Sequence, residues 1–276
     1  MPLDLSPLWI SLKTAIAATL LATILGIAIA QWRVRYRGRW GWLVDGILTL
    51  PLVLPPVVLG FGLLLLFGRN SPVGWGLRAI GFQFVFSWPA LIVAATLVGL
   101  PLVYRTLLTA FTQVSPDMIA AAQLLGASPG RIFWQVLLPL SWPGVLAGMV
   151  LAFARSLGEF GATVMVAGSI PGRTVTIPIQ IFLAAESGAM VQAAVWVGVA
   201  IAVALVAIAL LNWLPSAQQI NGAKLIFHWA QILTQPLQTR APLNKGGWGD
   251  PQKVSPPSEI SDLGREGRDP PSVPPC

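Results

Sequence analysis

The sequence predicts an all-α, polytopic membrane protein with about five transmembrane helices, and composition, run length and charge placement predict it. Of 276 residues, 55% are hydrophobic and 10% charged, whereas soluble globular chains carry about 25% charged residues. Mean hydropathy is +0.74. Crossing ~30 Å of hydrocarbon takes ~20 apolar residues, and such runs fall at roughly 8 to 31, 44 to 67, 86 to 107, 142 to 168 and 189 to 214. An odd number of spans puts the two ends on opposite sides.

Basic residues orient the spans, because short cytoplasmic loops carry the Lys/Arg excess. Arg33, Arg35, Arg37 and Arg39 follow the first span. Placing them inside also brings in Arg105, Arg131 and the tail residues Lys224, Arg240, Lys245, Lys253, Arg265 and Arg268. Only Lys13, Arg69, Arg78 and Arg173 then lie outside. The N-terminus is therefore expected outside and the C-terminus in the cytoplasm. The net charge of +7 is scattered over separate loops, which suits topology and membrane lipid and excludes a nucleic-acid footprint.

The first span is expected to be a retained helix, since its apolar run exceeds a signal-peptide core and its basic cluster follows it. The second holds Pro51, Pro55 and Pro56 with Gly60 and Gly62. Prolines there free carbonyls that neighbours or a water-lined path must satisfy, so this span reads as a kinked packing helix, a pore-lining helix, or both. Between the third and fourth spans, a loop at about 108–141 carries Ala120-Ala121-Ala122-Gln123-Leu124-Leu125-Gly126 and then Val136-Leu137-Leu138-Pro139. It reads as helix, turn from Gly126 to Pro129, then helix, with Pro139 ending the second helix. Small Ala faces permit close docking to another protein. Asp117 supplies a charge near the helix start.

The fourth span puts Arg155 and Glu159 four residues apart on one helix face in an apolar setting, where charges are costly unless paired or watered. Two readings stand: an ion pair locking the helix to its neighbours, or a pair bordering an aqueous translocation path. In the second, Gly158 and Gly161 allow close approach at a constriction near Thr163. The outer loop from Gly168 to Pro178 has turn chemistry at Pro171-Gly172 and a β-prone or re-entrant run behind it. It is either a passive connection or a rim, with Arg173, Thr174 and Thr176, where a soluble protein docks. Small residues from Gly188 to Ala204 give the fifth span a surface for close helix approach, at a packing or dimer contact. The tail, 215–276, is expected to be cytoplasmic and largely disordered, with a short amphipathic helix at 222–235 along the membrane.

Lone Cys276 and lone His228 exclude a disulfide framework and a His/Cys metal site. No cofactor is called for and no catalytic residue is assigned. No phosphate-binding Gly-x-x-x-x-Gly-Lys-Ser/Thr loop occurs. Any energy input must come from a partner.

The Ala-Ala-x-x-x-Gly-x9-Val-x-Leu-Pro pattern at 121–139 resembles the cytoplasmic loop signature of permease subunits of binding-protein-dependent ABC importers. The runs Leu137 to Gly144, Ala152 to Thr163 and Ile170 to Thr174 closely resemble the molybdate-type permease. Sulfate permeases share much of the last two. The likeness covers roughly 8–214, read as the permease domain. One departure is Ala120, where the signature begins with Glu.

The resemblance implies a type I ABC importer permease fold in the inner (plasma) membrane, forming a homodimeric pore. The loop helix, about 115–128, would dock on a separate ATPase, present in two copies, through Asp117, Ala121, Ala122, Leu125, Gly126, Ala127 and Pro139. Arg155, Gly158, Glu159, Gly161 and Thr163 would border the path. Pro171, Gly172, Arg173 and Thr174 would form the outer rim for an external binding protein that delivers molybdate or tungstate. The alternatives are a sulfate or thiosulfate importer, or an ATP-independent carrier or channel. A channel leaves the Gly126 loop without purpose, and a carrier calls for inverted repeats that five spans do not show.

Overall fold

The computed structural model describes residues 4–36 and 38–213, with side chains up to residue 209. The expectations for Arg37 and for the tail, 215–276, lie outside these residues. Among the described residues every regular element is helical. The helices are α1 (Ser6–Arg35), α2 (Gly41–Val53), α3 (Pro56–Phe67), α4 (Pro72–Ala79) and α5 (Trp88–Gln113), then α6 (Pro116–Leu124) and α7 (Pro129–Leu140). After these come α8 (Trp142–Leu157), α9 (Gly161–Ala167), α10 (Ile177–Glu186) and α11 (Met190–Trp213).

Proline punctuates this order. Pro7, Pro56, Pro72, Pro89, Pro116, Pro129, Pro143 and Pro178 all stand at the first or second helical position, where the missing N–H costs nothing and the fixed φ suits the helix. Serine supplies caps beside several of them: Ser71 Oγ accepts from Gly74 N–H at 2.8 Å and Ser128 Oγ from Arg131 N–H at 3.4 Å.

Three helices are long and apolar enough to cross a membrane: α1, α5 and the Met190–Ala209 part of α11. Two bent pairs raise the number to five if each counts as one span. The expected second span is not one kinked helix, because α2 and α3 meet at 112°. Leu54 and Pro55 are both extended, with ψ of 140° and 136°, since the ring of each following proline disfavours the helical conformation in the residue before it. The expected fourth span, 142–168, is likewise divided. Its helix α8 stops at Leu157, residues 158–160 cross a break, and α9 starts at Gly161. On its other side α8 bends by 69° from α7.

Pro139 does not end α7, which runs on to Leu140. A wide turn over Phe133–Leu137 instead closes with Leu138 N–H on Phe133 O. It lies just ahead of the proline, where the ring displaces the carbonyl four residues earlier and a regular turn cannot close. The β-prone run after Pro171 forms no strand either; α10 begins at Ile177 with Pro178 in its first turn.

The core is α1, α5 and α8, packed through small residues. Ala15, Ala18, Ala22 and Ala30 of α1 are fully buried. A Cβ on Gly26 would come within 2.7 Å of Val103, so the backbones of α1 and α5 approach as closely as small-residue seams allow in membranes. Two apolar clusters sit along α5. One joins Val103, Tyr104, Leu107 and Phe111 to Ala22, Phe133, Val145 and Ala152; the other joins Ala90, Leu91 and Ala94 to Ile10, Leu63, Ala162 and Val166. Cross-helix polar contacts fix register: Ser11 Oγ accepts the buried Ile177 N–H at 2.8 Å, capping α10 from α1, and Trp88 Nε1 donates to Thr14 Oγ1 at 3.0 Å. Each is worth about 1 kcal/mol.

Candidate functional site

The two broken spans meet at their breaks. A Cβ on Gly161, the first residue of α9, would lie 3.0 Å from Pro56 Cβ at the start of α3. Reciprocally, a Cβ on Gly60 would lie 2.9 Å from Ala162 Cα. Glycine at both positions lets α3 and α9 touch backbone to backbone.

Glu159 stands at this junction and is 2% exposed. Its Oε2 accepts from Arg155 Nη1 at 2.9 Å and its Oε1 from Ala162 N–H at 3.0 Å. The carboxylate thus satisfies a donor left free at the start of α9 and balances the positive end of that helix. The two charges do not share one helix face as the spacing suggested, because Glu159 lies beyond the end of α8. Arg155 keeps 33% of its side chain exposed. Gly158 is exposed, Gly161 and Thr163 are buried, and Thr163 Oγ1 donates to Phe160 O at 2.8 Å. Of the five residues assigned to the path, Arg155 and Gly158 are therefore the accessible ones.

The α6 segment is built to project. Ser115 Oγ accepts from Asp117 N–H at 3.3 Å, starting the helix with Asp117 in its first turn. At the other end Ala127 N–H reaches Ala122 O at 3.0 Å across Gly126, whose φ is +77°. That closure requires a left-handed residue and explains the glycine. Ala121, Leu125 and Gly126 are exposed and Ala122 and Ala127 half-buried. Leu124 is 91% and Leu125 71% exposed. Arg35 Nη2 donates to Pro129 O at 3.1 Å, tying the far side of the turn to the end of α1. Ala120 is exposed at the position where the resemblance led us to expect Glu.

On the other connection, Pro171, Gly172 and Arg173 are exposed, but Thr174 is fully buried. Thr174 Oγ1 accepts from Ile170 N–H at 2.8 Å and donates to Gly168 O at 3.3 Å. It braces the turn from within. Thr176 is buried as well.

Sequence reasoning missed a third cluster. Arg33 meets Asp45 in a bidentate pair, Nε to Oδ1 and Nη2 to Oδ2, both at 2.9 Å. Tyr104 Oη donates to Asp45 Oδ1. These residues tie α1, α2 and α5 together. The signal was present: Asp45 is a lone acid at the edge of an apolar run, 12 residues after an Arg that had been read only for topology.

A family model described as "Binding-protein-dependent transport system inner membrane component" matches residues 22–215. The molybdenum transport system permease protein ModB of Mycobacterium tuberculosis is 46% identical over 182 residues, covering 66% of this chain and 69% of that protein. ModB of Haemophilus influenzae is 40% identical over 220 residues, covering 79% and 96%. A probable sulfate transport system permease protein, cysT of Chlorokybus atmophyticus, is 32% identical over 219 residues, covering 79% and 77%. The crystal structure of a bacterial ABC transporter involved in importing the acidic polysaccharide alginate matches with a TM-score of 0.58 at 20% identity, over 76% of this chain and 80% of that one. That likeness is one of fold.

Proposed function

Because this chain belongs to the family of binding-protein-dependent transport system inner membrane components, we propose that it is the pore-forming subunit of an ATP-driven importer of molybdate or tungstate. It is a multi-pass inner-membrane protein. The anion assignment is supported by the molybdenum permeases at 46% and 40% identity against 32% for the sulfate relative.

The observation that carries the coupling role is the pair Leu124 and Leu125, left in the open beside a glycine-closed turn. An apolar helix tip is costly in water and suits a groove on a soluble ATPase. Two copies of the chain would form the pore, with two ATPase subunits gripping the two α6 segments. Closure of the ATPases on ATP would draw the segments together and rock the α1–α5–α8 bundles as rigid bodies. On this reading α6, the C-terminal end of α5 and the N-terminal end of α8 lie in the cytoplasm, and the N-terminus lies outside. The exposed Pro171, Gly172 and Arg173 would meet the loaded binding protein.

Along the path, Arg155 offers an oxyanion a positive field that Glu159 largely compensates. A weakly attractive site suits passage, because selection has been made by the binding protein and tight binding would trap the cargo.

The test is uptake of labelled molybdate and sulfate into vesicles holding the chain, its ATPase and its binding protein, with and without ATP. ATP-dependent uptake competed by tungstate and not by excess sulfate is expected. Competition by sulfate would move the assignment to a sulfate or thiosulfate importer, and flux without ATP would overturn the importer reading.

A further inference from the structure

A cavity of about 820 Å3 lies between the C-terminal half of α5, the start of α6 and the α7–α8 bend. That size is typical of small-ligand sites, about 300–1,000 Å3. Arg105, Thr106, Thr109, Gln113, Ser115 and Ser141 supply its polar wall, and no carboxylate lines it. Arg105, Thr109 and Gln113 repeat at intervals of four and so share a face of α5. Neither of the two ion pairs among the described residues involves Arg105. The carboxylate that its neighbour Tyr104 touches, Asp45, is already held on both oxygens by Arg33. Among the described residues the guanidinium at this cavity therefore has no carboxylate in direct contact, in contrast to that of Arg155.

We propose that this cavity is an oxyanion site at the exit end of the translocation path, taking one hydrated tetrahedral dianion through Arg105 and the side chains of Thr109, Gln113 and Ser115, since the Thr106 and Ser141 hydroxyls already donate to backbone carbonyls. A planar guanidinium offers paired donors to such an anion. One positive charge without a direct carboxylate partner, in a wide and open cavity, binds weakly, which release requires. Ser115 and Met118, at the root of α6, form part of the wall. An anion held there therefore contacts the segment assigned to ATPase docking. The side on which the cavity opens and the identity of the cargo rest on the importer reading; the binding chemistry does not. A phospholipid phosphate shares that chemistry, and the test separates the two sources.

The test places a reporter thiol at the lining residue Ala147, as A147C with the native thiol removed by C276S, in the full chain in lipid nanodiscs. The rate of modification by a negatively charged methanethiosulfonate is followed without ATP, ATPase or binding protein. In phosphatidylcholine, added molybdate is expected to slow modification roughly threefold at about twice its dissociation constant. The slowing should vanish with R105Q and return with R105K. No slowing in a chain that supports ATP-driven uptake, or slowing that survives R105Q, overturns the proposal. Protection by phosphatidylglycerol in the absence of free oxyanion overturns it in favour of a headgroup site. Failed uptake with intact, Arg105-dependent protection would sink the importer reading and leave the anion site standing.

Discussion

Arg155 and Glu159 meet across a helix end: α8 stops at Leu157, and the chain turns so that Glu159 Oε2 lies 2.9 Å from Arg155 Nη1 while Oε1 takes the Ala162 N–H. One buried carboxylate thus anchors a cation on the preceding helix and a free donor on the next. Glu159 thereby lets the break persist with its free donor paired inside the fold.

Replacing Glu159 with Gln keeps an acceptor for Ala162 and removes the charge that Arg155 needs. Breaking a buried pair costs about 3–5 kcal/mol; with Arg155 partly exposed, a loss of about 1–3 kcal/mol is expected. The double variant Arg155→Met, Glu159→Leu should recover most of that stability, as read by thermal unfolding followed through tryptophan fluorescence. If it recovers stability and transport together, the pair serves only as a lock. If it recovers stability alone, the charges serve the path.

Gly60→Ala and Gly62→Ala differ by two residues and should differ in sign. A Cβ at Gly60 meets Met165 at 2.7 Å and the Ala162 backbone at 2.9 Å, whereas one at Gly62 meets nothing within 4 Å. Overpacking at the first should cost about 1–3 kcal/mol. The second should be neutral or stabilise by up to about 1 kcal/mol through helix propensity. Equal melting temperatures for the two variants would contradict the α3–α9 contact.

Gly126→Val forces a β-branched residue to φ +77°, a strain of about 1–3 kcal/mol, and should open the closure between Ala127 and Ala122. Permease-stimulated ATP hydrolysis is expected to fall to the level of the ATPase alone, with the chain still in the membrane. Gly126→Asn, which tolerates the left-handed region, should retain most of it. Full stimulation by the Val variant would remove α6 as the docking element.

In the turn between α9 and α10, Thr174→Val deletes the acceptor for Ile170 N–H and should destabilise the chain by about 1–3 kcal/mol. The Arg173 side chain is exposed and makes no hydrogen bond or ion pair among the described residues, so Arg173→Ala should leave melting unchanged. If the turn receives the binding protein, Arg173→Ala raises the concentration of loaded binding protein needed for half-maximal uptake. An unchanged half-saturation point would remove Arg173 from that role.

Apolar run length made the helical class and the positions of α1, α5 and α11 legible, and Gly126 marked its turn. The 112° bend between α2 and α3 was signalled by Pro55-Pro56, yet hydropathy carries no direction, so the run 44–67 read as one crossing. The break after Leu157 was masked because Gly158 and Phe160 are as apolar as their neighbours, and a spacing of four looks helical whether or not the helix continues. Thr174 read as a surface hydroxyl because its acceptor role depends on Ile170 folding back onto it. The Arg33–Asp45–Tyr104 cluster joins three helices: a lone acid beside an apolar run marks Asp45, but the partners it meets depend on how α1, α2 and α5 pack.

Leu124, 91% exposed, and Leu125 stand side by side at the tip of α6. If α6 docks as proposed, a subunit made in excess of its ATPase would display them to the surrounding solution as an uncovered apolar tip, a liability for self-association.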